Sequence, residues 1–177
     1  MTRLLVAYAT GHGSTQGVAE RIGARLRESG AGADVLTVDE AVGLDLPGYD
    51  AVVLGSPVYN QRWLPEADRF VEAHAESLAA LPLWLFSVGT FGDTKRLIGG
   101  LMKREPRNIP DLLRRLAPRE YRVFAGVIDR HQWPFFSRLF YYALGGRLGD
   151  NRDWDEIDLW ARGIAQELRV STDIPAG

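Results

Sequence analysis

One short stretch near the N-terminus constrains the fold more than any other part of the chain. The apolar run Leu4–Tyr8 is followed at once by Thr10-Gly-His-Gly-Ser-Thr15, a turn rich in glycine and hydroxyl groups. A helical pattern begins directly after it, with Val18, Ile22 and Leu26 on one face. A strand, a tight polar turn and a helix in this order present free backbone N–H groups and the positive end of a helix dipole. The stretch therefore predicts a site for a phosphate group.

The rest of the chain alternates between strand patterns and helical patterns. We predict further strands at 33–38, 51–55, 83–88 and 121–128, and helices at 17–27, 65–79, 109–116 and 153–168. The strands are continuous apolar runs rather than alternating ones, which is typical of strands buried on both faces. The sequence therefore predicts an α/β fold, a parallel sheet with helices on both faces.

Size and composition indicate one ordinary globular domain. The chain has 177 residues, of which 46% are hydrophobic and 25% charged, enough for a single core. We assign 1–170 to this domain and 171–177 to a C-terminal tail. The absence of cysteine excludes disulfides, thiolate metal sites and thiol nucleophiles. No apolar run reaches the roughly 20 residues that cross a bilayer, and the N-terminus lacks a signal-peptide pattern. We therefore expect a cytoplasmic protein without a metal site.

Charge and aromatic residues concentrate in the second half of the chain. Residues 94–147 contain twelve Lys or Arg and four Asp or Glu, a local charge of +8, whereas the whole chain carries −2. This asymmetry favours an anionic partner or surface. Within it, 130–145 has six aromatic residues and two arginines without a carboxylate. Such a segment is typical of a helix at a lipid interface or over an apolar ligand, so we expect 130–147 to contact the inner face of an anionic membrane. The alternative is a core helix at the sheet edge.

The type of phosphate ligand is limited by what the first loop lacks. A nucleoside triphosphate site needs a lysine in its loop, and no lysine precedes Lys95. A dinucleotide site needs Gly-x-Gly-x-x-Gly, and after Gly11 and Gly13 the third glycine, Gly17, comes one residue later than this pattern requires. Asp39 lies about where a ribose-binding carboxylate would, so the dinucleotide stays open as an alternative. A phosphomonoester fits best, because hydroxyls and amides at a helix start can enclose it without a basic side chain.

These motifs together resemble those of a known family. The loop at 10–15 resembles the flavodoxin phosphate loop, Thr-x-x-Gly-x-Thr, and the stretches 55–64, 84–93 and 149–154 are similar to later parts of flavodoxin-domain proteins that include the menaquinone-dependent protoporphyrinogen dehydrogenases. The resemblance implies a flavodoxin-like three-layer sandwich with a five-stranded parallel sheet in the order 2-1-3-4-5. It also implies flavin mononucleotide, FMN, as the cofactor.

The resemblance also implies which residues hold the flavin. The residues implied at the phosphate are Thr10, Gly11, His12, Gly13, Ser14 and Thr15. The residues implied along the isoalloxazine ring are Pro57, Val58, Tyr59, Asn60, Gly89, Thr90, Phe91, Gly92 and Asp93. Tyr59, Trp63 and Phe91 are the candidates for stacking on the ring. One departure is Gln61, which stands where the family usually has glycine.

Three functions are compatible with these residues. The first is an FMN-dependent oxidoreductase that links a small apolar or anionic substrate, such as a porphyrinogen, to a quinone or a redox protein. The second is a flavodoxin-type electron carrier without catalysis of its own. The third is a binding protein that has lost the flavin, for which Gln61 is the support. No residue stands out as a catalytic acid or base, and no nucleic-acid-binding module is recognisable.

Overall fold

The computed structural model describes residues 2–89, 107–128 and 149–172. In chain order the elements are β1 (Arg3–Tyr8), α1 (Ser14–Glu28), β2 (Gly32–Thr37), α2 (Val38–Ala41), a 3-10 turn (Leu46–Gly48), β3 (Ala51–Tyr59), β4 (Arg62–Trp63), α3 (Pro65–Ala73), α4 (Ala75–Ala80), β5 (Leu83–Gly89), α5 (Ile109–Leu116), β6 (Glu120–Ala125), β7 (Val127–Ile128), β8 (Gly149–Asp150) and α6 (Trp154–Thr172). Thr90–Asp93 and 130–147, for which the sequence predicts flavin and membrane contacts, lie outside the described residues.

The sheet has the predicted order. Its parallel strands run β2-β1-β3-β5-β6, which is the order 2-1-3-4-5 when the parallel strands are counted alone. The short strand β4 was not predicted, and it pairs antiparallel with the end of β3. A separate two-stranded ribbon, β7–β8, was also not predicted. The strand order reverses at β1 and β3, so the ligand crevice of such a sheet lies beyond their carboxyl ends.

Two apolar cores fill the space on either side of the sheet. The first core joins one face of the strands to α1 and α6, and it includes Trp84, Phe86, Phe124 and Trp160. The second core joins the other face to helices α3, α4 and α5, and it includes Phe70 and Trp63 among its buried side chains. The predicted three-layer sandwich is therefore confirmed, with a parallel sheet between two helical layers.

Several element boundaries differ from the predicted ones. The predicted strand at 121–128 is interrupted at Gly126, after which Val127 and Ile128 pair with β8 instead of β5. The predicted helix at 65–79 is divided at His74, whose φ of −122° is not helical. The last helix continues to Thr172, so it includes two residues that the sequence assigned to the tail. The apolar patterns run past Gly126 and His74, and the pattern of the last helix ends at Leu168, before the helix does, so periodicity alone does not reveal these boundaries.

Candidate functional site

The first loop, residues 10–15, leads into the N-terminus of helix α1. Within the described residues, no side chain caps this terminus with a hydrogen bond. Gly13 has φ +81°, a left-handed conformation that glycine adopts without strain. Its backbone N–H donates to Thr10 Oγ1 at 3.0 Å, which closes the loop. The first turn of α1 also contains no acidic residue. Its backbone N–H groups and the positive end of the helix dipole therefore remain available to an anion.

Thr15 carries the clearest sign of a missing partner. Its side chain is buried, with 1% of the residue exposed, and its Oγ1 has no hydrogen-bond partner within the described part of the chain. A buried hydroxyl without a partner is unfavourable by about 1–3 kcal/mol. Ser14 is different, because its Oγ accepts the backbone N–H of Val127 at 3.0 Å. Accepting that bond leaves the Ser14 hydroxyl hydrogen free to donate.

The end of strand β3 brings an aromatic ring against the first loop. A Cβ at Gly11 would lie 3.5 Å from the ring of Tyr59, and the rings of His12 and Tyr59 meet edge to face with centroids 5.9 Å apart. Burial raises the pKa of the Tyr59 hydroxyl above its ordinary value, so it stays neutral at physiological pH. The residue as a whole is nevertheless 42% exposed. Tyr59 therefore offers an open apolar face next to the phosphate loop.

The turn after Tyr59 keeps a glycine-like backbone at Gln61. Asn60 and Gln61 connect β3 to β4 in a two-residue hairpin, closed by the pair Tyr59–Arg62. Both turn residues have positive φ, 48° and 61°, as in the type I′ turn that favours Asn-Gly. The Gln61 carbonyl accepts the backbone N–H of Arg107 at 2.6 Å. Gln61 therefore carries a side chain on a left-handed backbone, the conformation that glycine favours.

Trp63 belongs to the core and not to a ligand surface. It is only 2% exposed, and its indole N–H donates to Ser87 Oγ at 2.7 Å. Ser87 Oγ in turn lies 2.8 Å from the Tyr121 hydroxyl. Successive residues of a strand face opposite sides, so on β4 Arg62 faces solvent while Trp63 points inward. This corrects the prediction of Trp63 as a stacking partner.

The remaining predicted ring-side residues lie at neighbouring strand ends. Strands β3 and β5 pair as far as Pro57 and Val88, and a Cβ at Gly89 would lie 3.9 Å from the Val58 side chain. The ends of β1, β3 and β5 are thus adjacent, as the sequence predicts. Pro57 is buried and Val58 half-buried, so these two residues pack mainly within the protein and leave little surface to a ligand.

Arg152 is a neighbour of the first loop that the sequence did not predict. Its Nη1 lies 2.4 Å from the place that a Cβ at residue 17 would take, so a side chain there would displace the end of the arginine. Asp150 holds the guanidinium in place through Nε at 2.8 Å and Nη2 at 2.6 Å, and this pairing lowers the pKa of the Asp150 carboxyl. The guanidinium also stacks 4.4 Å from the centroid of the Trp154 ring. The helical glycine at residue 17 was the only signal of this contact in the sequence.

No helix within residues 2–89, 107–128 and 149–172 has both the length and the apolar character needed to cross a bilayer.

No curated protein sequence matches the chain. The model of a protein family described as a flavodoxin domain matches residues 5–143. Among solved structures, a flavodoxin from the domain Archaea is 15% identical, with a TM-score of 0.61 over 95% of this chain and 99% of that one.

Two further solved structures have the same fold. The oxidised flavodoxin 2 of Bacillus cereus is 17% identical, with a TM-score of 0.62 over 94% of this chain and 99% of that chain. The rubredoxin oxygen:oxidoreductase of Desulfovibrio gigas is 12% identical, with a TM-score of 0.65 over 98% of this chain but only 38% of that chain. The similarity thus covers nearly all of this chain, whether the fold occurs as a whole protein or as one part of a larger one.

Proposed function

The chain belongs to the flavodoxin domain family, and from this premise we propose that it is an FMN-dependent redox protein. FMN is the cofactor that membership of this family implies. The observation that carries the proposal is the buried, unpartnered hydroxyl of Thr15 at an uncapped helix start. A phosphomonoester offers acceptor oxygens for that hydroxyl, for the free hydrogen of Ser14 and for the backbone N–H groups of the first turn.

The chain's own residues would bind and orient the cofactor. The first loop holds the phosphate end, while Tyr59 presents its exposed face beside that loop. When bound, the flavin supplies hydride and single-electron transfer, and the surrounding protein sets its potential through hydrogen bonds and the exclusion of water. The adjacent ends of β3 and β5 would line the side of the site that holds the ring.

A more specific hypothesis concerns the substrate. The local charge of +8 over 94–147 and the aromatic, basic stretch at 130–145 favour a flat apolar or anionic substrate, with a quinone or a redox protein as the second partner. We therefore propose quinone-linked oxidation of a porphyrinogen or similar molecule ahead of simple electron transfer. The same stretch supports peripheral contact with an anionic membrane.

The alternative of a protein that has lost its flavin has weaker support. It rests on Gln61, yet the backbone there keeps the left-handed conformation of a glycine. A change that adds a side chain and leaves the turn intact gives no reason to expect loss of the cofactor.

The first experiment is the visible spectrum of the purified protein, before and after addition of FMN. We expect the absorbance bands of a bound flavin, either as isolated or after reconstitution. Protein that stays colourless and causes no change in the spectrum of added FMN would contradict both the oxidoreductase and the carrier hypotheses.

A second experiment separates the enzyme from the carrier. The FMN-loaded protein is mixed with a porphyrinogen as electron donor and a short-chain quinone as electron acceptor, without oxygen, and turnover is followed by absorbance. We expect many equivalents of porphyrinogen to be oxidised, and of quinone to be reduced, for each bound flavin. Reduction and reoxidation by redox proteins alone, without turnover of either small molecule, would identify a carrier.

Membrane contact has its own test. Flotation with anionic liposomes is compared for the wild-type protein and for a variant in which Phe135, Phe136 and Arg138 are all replaced by Ser. We expect the wild type to float and the variant to remain in the soluble fraction. Equal flotation of the two proteins would contradict this part of the proposal.

A further inference from the structure

We propose that Arg152 is a further determinant of phosphate recognition, which makes the site prefer a phosphate-bearing flavin over one without phosphate. The inference rests on the proposed function, because it assumes that the first loop binds the phosphate of FMN. It assigns a role to a residue 135 positions after Gly17 in the chain, which the fold brings against the first turn of α1.

The position of Arg152 places a cation close to the phosphate end of helix α1. Each Cα–Cβ bond of a helix is tilted toward the helix N-terminus. The place of a Cβ at residue 17, from which Nη1 of Arg152 lies 2.4 Å, is therefore on the N-terminal side of its own Cα. The guanidinium thus lies beside the first turn of α1, which has no side-chain cap.

The ion pair with Asp150 orients the guanidinium without cancelling its charge at the loop. Asp150 binds Nε and Nη2, so the Nη1 side is the one turned toward α1. The Asp150 side chain is 45% exposed and the Arg152 side chain 17%. Solvent therefore screens the carboxylate more than the guanidinium. The guanidinium, and not the carboxylate, is the group of the pair that contacts the first turn.

Without a bound anion, this placement puts a positive charge beside the start of α1, partly offset by the ion pair with Asp150. Helix N-termini are stabilised by negative charge and helix C-termini by positive charge. Helix α1 follows that rule at its end, where Arg25 and Arg27 lie in the last turn. At its start it has no acidic residue, no side-chain cap, a buried hydroxyl without a partner, and an arginine packed against it. A phosphate dianion would turn each of these features into a favourable interaction.

The test compares FMN with riboflavin, which has the same ring and no phosphate. Dissociation constants of both are measured by quenching of flavin fluorescence for the wild type, for Arg152→Gln and for Arg162→Gln. Arg162 lies exposed on helix α6 and controls for the change in net charge. We expect Arg152→Gln to weaken FMN binding about five- to tenfold, in the range of a charge-assisted contact, and to leave riboflavin binding unchanged. The Arg162→Gln protein should bind both flavins as the wild type does.

Two further variants separate charge from packing. Arg152→Lys keeps the charge but loses the bidentate pairing with Asp150 and the stacking on Trp154, so it should retain only part of the preference for FMN. In Gly17→Ala the new methyl group displaces the guanidinium while the helix gains intrinsic propensity. The preference for FMN should fall in this variant, and adding Arg152→Gln to it should cause little further loss.

Three outcomes would overturn the inference while the proposed function stands. They are unchanged FMN binding by Arg152→Gln, equal weakening of FMN and riboflavin, and an unchanged preference for FMN in Gly17→Ala. Unfolding of each flavin-free variant by urea shows whether a general loss of stability accounts for equal weakening. A wild-type protein that binds neither flavin overturns the proposed function itself, and this inference with it.

Discussion

The two loops that meet at the carboxyl end of the sheet differ in how completely their polar groups are paired. In the first loop, residues 10–15, the helix start lacks a side-chain cap and Thr15 Oγ1 is buried without a partner within the described chain. In the second loop, residues 56–63, Ser56 Oγ accepts the backbone N–H of Leu64 at 3.0 Å, and Trp63 donates to Ser87. The first loop therefore has polar groups whose partners a ligand could supply, whereas these polar groups of the second loop are paired within the protein.

This difference shows which aromatic and hydroxyl residues belong to function. Both loops carry small, hydroxyl and aromatic residues, so composition alone does not separate them. Trp63 is held by the second loop as part of the core, and Tyr59 is left with an exposed face. Hydrogen-bond pairing, more than residue type, distinguishes a group that awaits a ligand from one that supports the fold.

The largest effect on stability is expected at Ser87, the residue of β5 that pairs with the second loop. Ser87→Ala removes the acceptor of the buried Trp63 indole N–H and a partner of the Tyr121 hydroxyl. Leaving a buried donor unpaired should lower the free energy of unfolding by about 2 kcal/mol, as measured by urea denaturation. The ratio of FMN to riboflavin affinity should stay unchanged.

The control for this variant is Ser77→Ala on helix α4, where the side chain is half-buried. It should change the free energy of unfolding by less than about 0.5 kcal/mol. If Ser87→Ala proved equally harmless, the hydrogen bond between Trp63 and Ser87 would not be what stabilises the second loop.

The next effect is expected in the first loop, and it has the opposite sign. Thr15→Val keeps the shape of the side chain and removes the unpartnered hydroxyl. The flavin-free protein should become more stable by about 1 kcal/mol, while its affinity for FMN should fall about tenfold. Thermal unfolding and FMN titration of the same preparation measure both quantities. A loss of stability on this substitution would mean that the hydroxyl already has a partner in the flavin-free protein.

The smallest effect is expected at the hairpin turn. Gln61→Gly places glycine at a φ of 61°, the conformation in which a side chain is strained. The free energy of unfolding should rise by about 0.5 kcal/mol, with the relative affinity for the two flavins unchanged. The matched change Arg62→Gly, at the next position on β4, should not stabilise the protein. A destabilised Gln61→Gly protein would show that the Gln61 side chain has a structural role.

Most of the fold could be predicted from local patterns. The apolar runs that became β1, β3 and β5 are long enough and bounded clearly enough to identify a parallel sheet. Helix α5 was predicted with its observed bounds, Ile109–Leu116. The missing pieces, β4 and the β7–β8 ribbon, are strands of two residues each. Such short strands form through tertiary pairing and leave no periodic signal in the sequence.

The candidate site was predictable only where its residues lie close together in the chain. The first loop combines glycines and hydroxyls within six residues, which is a local signal. Arg152 reaches Gly17, and Val127 reaches Ser14, only because the ribbon packs against α1 in the folded protein. The inward direction of Trp63 likewise depends on the pairing of β4 with β3. Contacts between distant parts of the chain were therefore the part that local patterns could not supply.

The most direct test of the central claim is a calorimetric titration of the flavin-free wild-type protein with FMN and, separately, with riboflavin. If the unpaired groups of the first loop bind a phosphomonoester, FMN should bind at least about 100-fold more tightly, since two or more charge-assisted hydrogen bonds distinguish the two ligands. Equal affinities for FMN and riboflavin would contradict the account, because the first loop would then contribute nothing to recognition of the cofactor.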